Sequence, residues 1–267
     1  MNVDIAVPSS ADFFEGHFPG RPILPGVTQL VLVLETLQCG TRERVALRGV
    51  AFARLRQLVL PGDRLQLAAR ELDAERMRID LKRDGVLITN GELILGRPRD
   101  PEPVPSAEVA ASICAPPSLD ALLPHRAPMR FVTSILGETA GGLSCAARIP
   151  AGCPLVSDGS VPALVGLEAA AQAAAAWEAL RRWREGGTVA PRVGYLVALR
   201  DIALFAQRIP ADRNLLTCVQ LEAAAPPLTH YGVSVSMDGM LVLRGSIATF
   251  LTQAGGDAGT SPGGVER

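Results

Sequence analysis

The sequence contains little lysine, few aromatic residues and no paired cysteines. Lys82 is the only lysine among 26 basic residues, and the net charge is −1, so no basic field attracts nucleic acid or an anionic membrane. The five cysteines show no C-x-x-C spacing, so we expect neither a zinc site nor disulfide bonds. This pattern is typical of proteins in a reducing cytoplasm. No apolar run is long enough to span a membrane, and the N-terminal residues lack the features of a signal peptide. We therefore expect a cytoplasmic protein without nucleic-acid or membrane partners.

One stiff loop and the apolar run after it dominate the first third of the chain. Three phenylalanines surround His17 between positions 13 and 18, and prolines and glycines occupy five of the eight positions 19–26. Proline fixes φ and glycine tolerates positive φ, which indicates a rigid loop. Residues 27–39 are almost wholly apolar, which predicts a buried helix. A histidine beside a helix N-terminus is suited to act as a general base, with a helix amide near the charge that develops.

Strand patterns follow this helix at intervals of about ten residues. Asp84-Gly85 is the signal for a tight hairpin. One buried helix followed by a run of strands predicts an α+β fold in which an antiparallel sheet wraps the helix. The predicted strands of this half lie at 3–7, 45–60, 64–71, 76–83 and 86–96.

The same order of elements occurs twice. A helix is predicted over 161–183, and an offset of 137 aligns Pro25-Gly26-Val27 with Pro162-Ala163-Leu164. The chain is therefore predicted to contain two copies of one small fold. Strands are expected near 193–205, 214–223, 231–237 and 240–252. The predicted division is an N-terminal unit at 1–97, a proline-rich linker at 98–118, a C-terminal unit at 119–253 and a disordered tail at 254–267.

The second helix carries two polar side chains on one face. Across 161–177 only Glu168 and Gln172 are polar, and they lie four residues apart. A buried carboxylate is costly unless it is paired or functional. Desolvation alone would raise its pKa above about 4.3, which predicts a proton donor near neutral pH.

Several strings resemble the 3-hydroxyacyl-[acyl carrier protein] dehydratases, which have the hotdog fold. The string from Gly16 to Val27, GHFPGRPILPGV, resembles their active-site loop, and the L-E-x-x-x-Q string at 167–172 resembles their acid-bearing helix. The LLPHRAPM string at 122–129 resembles their N-terminal segment. We interpret its His125 as structural, because it lies far in sequence from the loop and helix. Together the halves look like the two small dehydratase subunits of aryl-polyene clusters, fused into a double hotdog.

The two halves have complementary gaps when the family's spacing is applied. In the dehydratases that this chain resembles, the acid lies fourteen residues after the histidine. Each of their sites takes its histidine from one fold and its acid from the other. His17 plus fourteen is Val31, and Glu168 minus fourteen is Pro154. The resemblance therefore implies one composite site made of His17 and Glu168, with a dead mirror site at Pro154 and Val31.

Two further positions bear on this interpretation. Gly26, at the start of the first helix, corresponds to Ala163 in the second half. Glu35 is a rival acid one helical turn after Val31, but it corresponds to Gln172 and lies on the helix that faces the dead site. We therefore expect Glu168 rather than Glu35 to serve as the acid.

The implied reaction removes water from a 3-hydroxyacyl thioester. Neutral His17 would take the C2 proton, protonated Glu168 would donate to the C3 hydroxyl, and the amide of Gly26 would bind the thioester oxygen. By resemblance, the carbonyl of Ile23 orients His17; Gln172 is expected to position Glu168. No metal or redox cofactor is expected. Phe18 and Pro19 are expected to contact substrate.

The implied partner is an acidic acyl carrier protein. Arg21 and Arg192 are candidates for its docking surface by position alone. Two alternatives remain: a hotdog thioesterase that hydrolyses the same thioester, and a noncatalytic subunit that only binds the carrier protein. The chain is expected to be a pseudo-dimer in itself, with further homodimerisation left open.

Overall fold

The computed structural model describes residues 1–40, 46–104, 117–139, 141–186 and 191–252. Within these ranges no helix combines the length and the apolar character needed to cross a membrane. The predicted disordered tail at 254–267 lies outside the described residues, as do residues 105–116 of the predicted linker.

The N-terminal half places one long helix against five strands. Its elements are β1 (Asn2–Ala6), a 3₁₀ helix (Ala11–Phe14), α1 (Gly26–Gly40), β2 (Leu47–Leu55), β3 (Arg64–Glu71), β4 (Arg76–Arg83) and β5 (Val86–Leu95). The predictions for β3 and β4 have the observed bounds. Asp84 and Gly85 join β4 to β5 with φ of 49° and 80°. Positive φ at both central residues is the geometry that a two-residue hairpin of type I′ requires.

The C-terminal half repeats this arrangement with additions. Its elements are α2 (Leu119–Leu122), β6 (Val132–Thr139), β7 (Gly142–Ala147), β8 (Ser160–Pro162), a 3₁₀ helix (Ala163–Val165), α3 (Gly166–Arg184), β9 (Gly194–Leu204), β10 (Arg208–Pro210), β11 (Leu215–Ala225), β12 (Leu228–Met237) and β13 (Met240–Leu251).

The second helix begins later than the sequence predicts. The sequence predicts a helix from residue 161, whereas α3 starts at Gly166. Val161 instead pairs with Ile209 in the short ladder between β8 and β10. The amide of Ala163 then donates to the carbonyl of Gln207 at 2.9 Å. These long-range bonds outweigh local helix propensity, so the entry to α3 is extended and then 3₁₀.

One antiparallel sheet runs through both halves. Its order is β1-β3-β4-β5-β2-β9-β13-β12-β11-β7-β6, and the halves join where β2 pairs with β9. Gly49 faces Ala203 at this junction, and a Cβ on Gly49 would lie only 2.2 Å from the carbonyl oxygen of Ile202. The predicted double hotdog with a continuous sheet is therefore confirmed.

The halves are related by a pseudo-two-fold axis at this junction. Outward from it, the order β2-β5-β4-β3-β1 corresponds to β9-β13-β12-β11-β7, and β6 is an addition of the second half. Asp238-Gly239, with φ of 52° and 78°, joins β12 to β13 as Asp84-Gly85 joins β4 to β5. The sheet that a dimer would form between two chains is thus formed within one chain.

The two long helices lie buried against this sheet. Val27 and Leu30 of α1 and Leu167 and Ala170 of α3 are fully buried. Because α3 has alanine at half of its buried positions, little side-chain volume separates it from the sheet. This close packing leaves the narrow cavity described below along one face of α3.

The first part of the predicted linker is extended and bonded to the C-terminal half. The amide of Arg99 donates to Leu204 at 2.8 Å, and the amide of Leu241 donates to Glu102 at 2.8 Å. Glu102 also forms an ion pair with Arg244 at 2.8 Å. These bonds tie the chain leaving β5 to the edges of β9 and β13.

Candidate active site

The loop that carries His17 is held by its own backbone and by the other half of the chain. The amide of Ile23 donates to the carbonyl of His17 at 3.0 Å. Gly16 has a φ of +83°, and a Cβ there would lie 2.1 Å from the carbonyl oxygen of Arg126. The amide of Arg126 donates to Gly16 at 3.0 Å. The glycine therefore allows the LLPHRAPM segment to pack directly on the histidine loop.

The imidazole of His17 is buried and its tautomer is fixed. Its Nδ1 lies 2.7 Å from the carbonyl oxygen of Ile23. Because a carbonyl can only accept, Nδ1 carries the proton and Nε2 keeps the lone pair. The ring stacks on Phe18 with 4.1 Å between centroids. A buried imidazole held in this way presents a defined basic nitrogen.

Glu168 lies in the first turn of α3, and Gln172 fixes its carboxylate. Gln172 Nε2 donates to Glu168 Oε1 at 3.0 Å and to the carbonyl of Met129 at 2.8 Å. The Gln172 oxygen accepts from the amide of Phe131 at 2.8 Å. Because Gln172 is fully buried, these backbone contacts lock its rotamer and leave the carboxylate one orientation.

His125 is the site residue whose position the sequence did not reveal. Its Nε2 lies 3.4 Å from Glu168 Oε1, and its ring centroid lies 5.3 Å from that of His17. It is 6% exposed, and no described residue accepts from or donates to its Nδ1. We interpreted His125 as structural because it lies far in sequence from the loop and helix. In the structure the LLPHRAPM segment packs on the His17 loop, so His125 is close to both. The resemblance of the LLPHRAPM string to a segment of the dehydratases was the sequence signal that could have placed His125 near the site.

Burial and mutual contact set the pKa values of the pair. Burial is the main cause that lowers the pKa of His17 to about 4, so the imidazole is neutral at pH 7. Burial pushes the pKa of Glu168 upward, as the sequence predicts. The contacts of the carboxylate with His125 and Gln172 outweigh the effect of burial and lower that pKa to about 2. The net shift of this pKa is therefore opposite to the one that desolvation alone predicts, and the role of Glu168 as the proton donor stays a prediction.

A single cavity connects the histidine loop with α3. His17, Ile23 and Gly26 line it from the first half, and His125 and Glu168 line it from the second. Gly26 is the first residue of α1, where helical amides have no acceptor within the helix. A Cβ there would lie 3.1 Å from Leu55 and 3.4 Å from Leu196, so glycine keeps the helix end close to both strands.

The predicted substrate contacts lie beside this cavity rather than on its wall. Phe18 is buried in a small apolar cluster with Ile23 and Tyr195, and Pro19 is exposed. Neither is among the residues that line the cavity. Phe18 instead packs edge-on against His125 at 4.7 Å between centroids. Its ring contacts both imidazoles and supports them.

The mirror positions carry no comparable set. Val31 and Ala163 are buried apolar residues, and Pro154 is half-buried. Glu35 is exposed, and burial raises its pKa while Arg208 opposes that shift. It does not line the cavity that holds His17 and Glu168.

The three site residues also have the composition of a metal site. Among the described residues, His17, His125 and Glu168 are the one such group, with a candidate ligand atom from each within 4.8 Å of the others. Two histidines and a carboxylate suit several divalent ions. The absence of a metal cofactor therefore stays a prediction.

Comparison with known proteins gives a consistent family. Residues 117–258 match the family model described as ApeP dehydratase, and residues 1–92 match the model described as ApeI dehydratase. A 3-hydroxyacyl-[acyl-carrier-protein] dehydratase FabZ from Myxococcus xanthus is 47% identical over 68 residues, which cover 21% of this chain and 42% of that protein. The chain thus spans about half the length of the curated relatives it matches.

Solved structures with the same fold cover nearly the whole chain. A trans-AT polyketide synthase dehydratase domain from Brevibacillus brevis matches 95% of this chain and 94% of its own length, with a TM-score of 0.71 and 11% identity. The dehydratase domain of PpsC from Mycobacterium tuberculosis matches 94% and 92%, with a TM-score of 0.70 and 14% identity. At these identities the likeness establishes the fold.

Proposed function

The chain belongs to the ApeP-like dehydratase family, and from this membership we propose that it dehydrates a 3-hydroxyacyl thioester to the trans-2-enoyl thioester. The observation that carries the proposal is that His17 and Glu168, from different halves, line one buried cavity. We divide the chain into a base-bearing unit at 1–97, a linker at 98–118, an acid-bearing unit at 119–253 and a tail at 254–267. One composite site per chain follows from that division.

His17 is the proposed base. Its Nε2 takes the C2 proton, and the electrons of that C–H bond form the new double bond as the C3–O bond breaks. The low pKa of about 4 keeps His17 neutral at physiological pH, so no prior deprotonation is needed. The hydrogen bond from Nδ1 to Ile23 holds the ring and stabilises the imidazolium that forms.

The leaving hydroxyl takes its proton from the pair of His125 and Glu168. Because the contacts of Glu168 lower its pKa to about 2, its carboxylate needs a neighbouring group that supplies the proton. His125 Nε2, 3.4 Å from the carboxylate, is placed to share one. Glu168 then passes this proton to the departing oxygen, which leaves as water. His125 acts through Glu168 and is a positioning residue in this scheme.

The thioester oxygen gains negative charge as C2 loses its proton. The first amides of α1, at Gly26, lack intrahelical acceptors and lie at the positive end of the helix dipole. Gly26 and His17 line the same cavity, so one bound thioester can meet both. Donors fixed at such a position typically lower the barrier by several kcal/mol in enzymes of this kind of chemistry.

The proposed substrate is carried by an acyl carrier protein. Arg21, whose guanidinium lies 5.9 Å from the ring centre of Tyr195, and Arg192 at the cavity wall are the proposed docking cations. Exposed ion pairs are individually weak and screened by salt. Replacing either arginine is therefore expected to raise KM more than it lowers kcat, and less so at high salt.

The deciding experiment follows product and thiol together. The purified chain is incubated with a 3-hydroxyacyl carrier-protein thioester, and enoyl product is measured by mass spectrometry alongside free thiol. We expect a loss of one water without thiol release. Thiol release would instead favour the thioesterase, and binding without either product would favour the noncatalytic subunit.

A further inference from the structure

One face of α3 connects the reacting groups with a basic end of the cavity. Glu168, Ala171, Ala175, Glu178 and Arg182 all line it, at the spacing of three or four residues that places side chains on one helix face. Fourteen residues separate Glu168 from Arg182, which corresponds to about 21 Å along the helix axis. The cavity therefore ends far from the chemistry, at a charged wall.

Two arginines form that wall. Arg182 and Arg192 both line the cavity. Burial, followed by the nearby charge of Arg192, lowers the pKa of Arg182. Arg182 Nη1 is buried, and no described residue accepts a hydrogen bond from it. Two neighbouring positive charges, one of which carries an unsatisfied buried donor, are unfavourable unless an anion binds between them.

The nearest carboxylate is already engaged by other groups. Glu178 Oε1 accepts from the hydroxyl of Tyr231 at 2.9 Å, and its Oε2 lies 3.4 Å from Arg181 Nη2. Within the described residues neither Arg182 nor Arg192 has an ion-pair partner within 4 Å. The charge of Glu178 also raises the pKa of Arg182, but one carboxylate beside two guanidinium groups leaves the basic wall a net positive charge.

We propose that Arg182 and Arg192 form an oxyanion subsite that binds a phosphate or carboxylate of the substrate, about 21 Å from Glu168 along α3. This inference rests on the proposed function, because it assumes that the reacting carbons lie beside His17 and Glu168. Guanidinium groups suit both oxyanions, since their fork of donors matches two oxygens at once.

Two parts of a carrier-bound substrate offer such an oxyanion. One is the phosphodiester of the pantetheine arm, and the other is a carboxylate at the far end of the acyl chain. From the phosphorus to the thioester carbon the arm has fourteen bonds, which in the extended form span about 16 Å by analogy with a polypeptide. The reach of an arginine side chain covers the remainder. An acyl chain of sixteen carbons has thirteen bonds from C3 to its far end and spans about 15 Å on the same basis. Both sources therefore fit the separation, and binding measurements distinguish them.

The test measures binding, so it needs no turnover. The full chain is titrated calorimetrically with pantetheine 4′-phosphate and with pantetheine. It is then titrated with the pantetheine thioesters of 3-hydroxyhexadecanoic acid and of the matching acid with a terminal carboxylate. Arg182→Gln and Arg192→Gln are compared with Arg184→Gln, a control on the same helix whose side chain pairs with Glu138 and does not line the cavity.

We expect one oxyanion-bearing probe to bind about ten- to a hundredfold more tightly than its neutral counterpart, as for charge-assisted hydrogen bonds. Arg182→Gln and Arg192→Gln should each remove most of this preference, whereas Arg184→Gln should keep it. A preference for phosphate identifies the arm, and one for the terminal carboxylate identifies the chain end.

Equal binding of both probes in each pair would overturn the subsite, and so would an equal loss in Arg184→Gln. Circular dichroism of each variant controls for folding. Absence of dehydration with retained oxyanion preference would reject the proposed reaction and leave the subsite standing. Dehydration without a preference for the oxyanion-bearing probes would reject the subsite and leave the proposed reaction standing.

Discussion

Nδ1 of His17 lies 2.7 Å from the carbonyl oxygen of Ile23, and this contact decides which ring nitrogen is free. It is a bond within one loop, set by the turn that brings position 23 back to position 17. The acid it works with comes from the other half, 151 residues later. Single replacements can therefore test base and acid separately.

Replacement of either proposed catalytic residue should remove most turnover. His17→Ala and Glu168→Gln are each expected to lower kcat by about 10²- to 10⁴-fold. Because the two act on one reaction, the double variant should be little worse than either single variant. Glu35→Gln, a carboxylate outside the cavity, is the matched control and should keep nearly full kcat in steady-state assays. Full activity in Glu168→Gln would refute the composite site.

The low pKa of His17 predicts both a rate profile and a stability profile. The base is free above its pKa of about 4, so kcat/KM should stay level as pH falls from neutral to about 5. For stability, the unfolded histidine binds a proton near pH 6.5 and the folded one only near 4. Stability should therefore fall as pH drops through this window, by up to about 3 kcal/mol.

His17→Gln cannot titrate and isolates this contribution. Urea unfolding of both proteins at pH 7 and pH 4.5 gives the comparison, and only wild type should lose the additional amount. The carboxyl of Glu168, whose lowered pKa of about 2 affects both proteins, acts mainly below this range. An equal pH dependence of the two proteins would contradict the assignment.

His125 should influence turnover through the ionisation of Glu168. In His125→Leu the contact that lowers the pKa of Glu168 is lost, so burial should move that pKa upward. Infrared absorption of the carboxyl group should then titrate at higher pH. The value of kcat should fall by less than the roughly 10²-fold of a lost acid, because the raised pKa partly replaces the proton that His125 supplies. His230→Leu, the third histidine and outside the cavity, serves as control. An unchanged carboxyl titration together with unchanged kcat would show that Glu168 acts without His125.

Gln172 should matter for both stability and rate. Gln172→Leu leaves the amide of Phe131 and the carbonyl of Met129 without their buried partner, at a cost of about 1–3 kcal/mol for each unsatisfied group. It also frees the Glu168 carboxylate, so kcat should fall with little change in KM. Ser236→Ala, which removes the hydrogen bond from a buried hydroxyl to the carbonyl of Leu216 away from the cavity, should lower only stability. Thermal unfolding and steady-state kinetics separate the two effects.

One chain should contain one working site. A histidine-directed mechanism-based inhibitor should label His17 alone, detected by peptide mass spectrometry. Val31→Glu should not create a second site, because Pro154 supplies no base, and the carboxylate at a 2% exposed position should destabilise the fold. Two labelled sites per chain would contradict the dead mirror site.

Much of the architecture was readable from the sequence, because local patterns determine it. The apolar run at 27–39, the strand alternation and the Asp84-Gly85 turn carry their own geometry, and the observed elements follow them closely. The offset between the halves predicts two copies of one fold, and the resemblance to the dehydratases implies that these copies pair. The same resemblance, applied to the positions of His17 and Glu168, implies that the halves share one site.

Tertiary structure alone decided how that site is charged. The sequence predicts burial as the dominant effect on the pKa of Glu168. However, His125 lies in a segment 43 residues earlier, and its contact with the carboxylate reverses the direction of the pKa shift. The tertiary structure also determines where α3 begins, because the pairing of Val161 with Ile209 replaces a helical turn. Arg182 and Arg192 become neighbours of one cavity only through packing. Periodicity reports which face of an element is buried, whereas electrostatics depends on which distant charges that burial brings together.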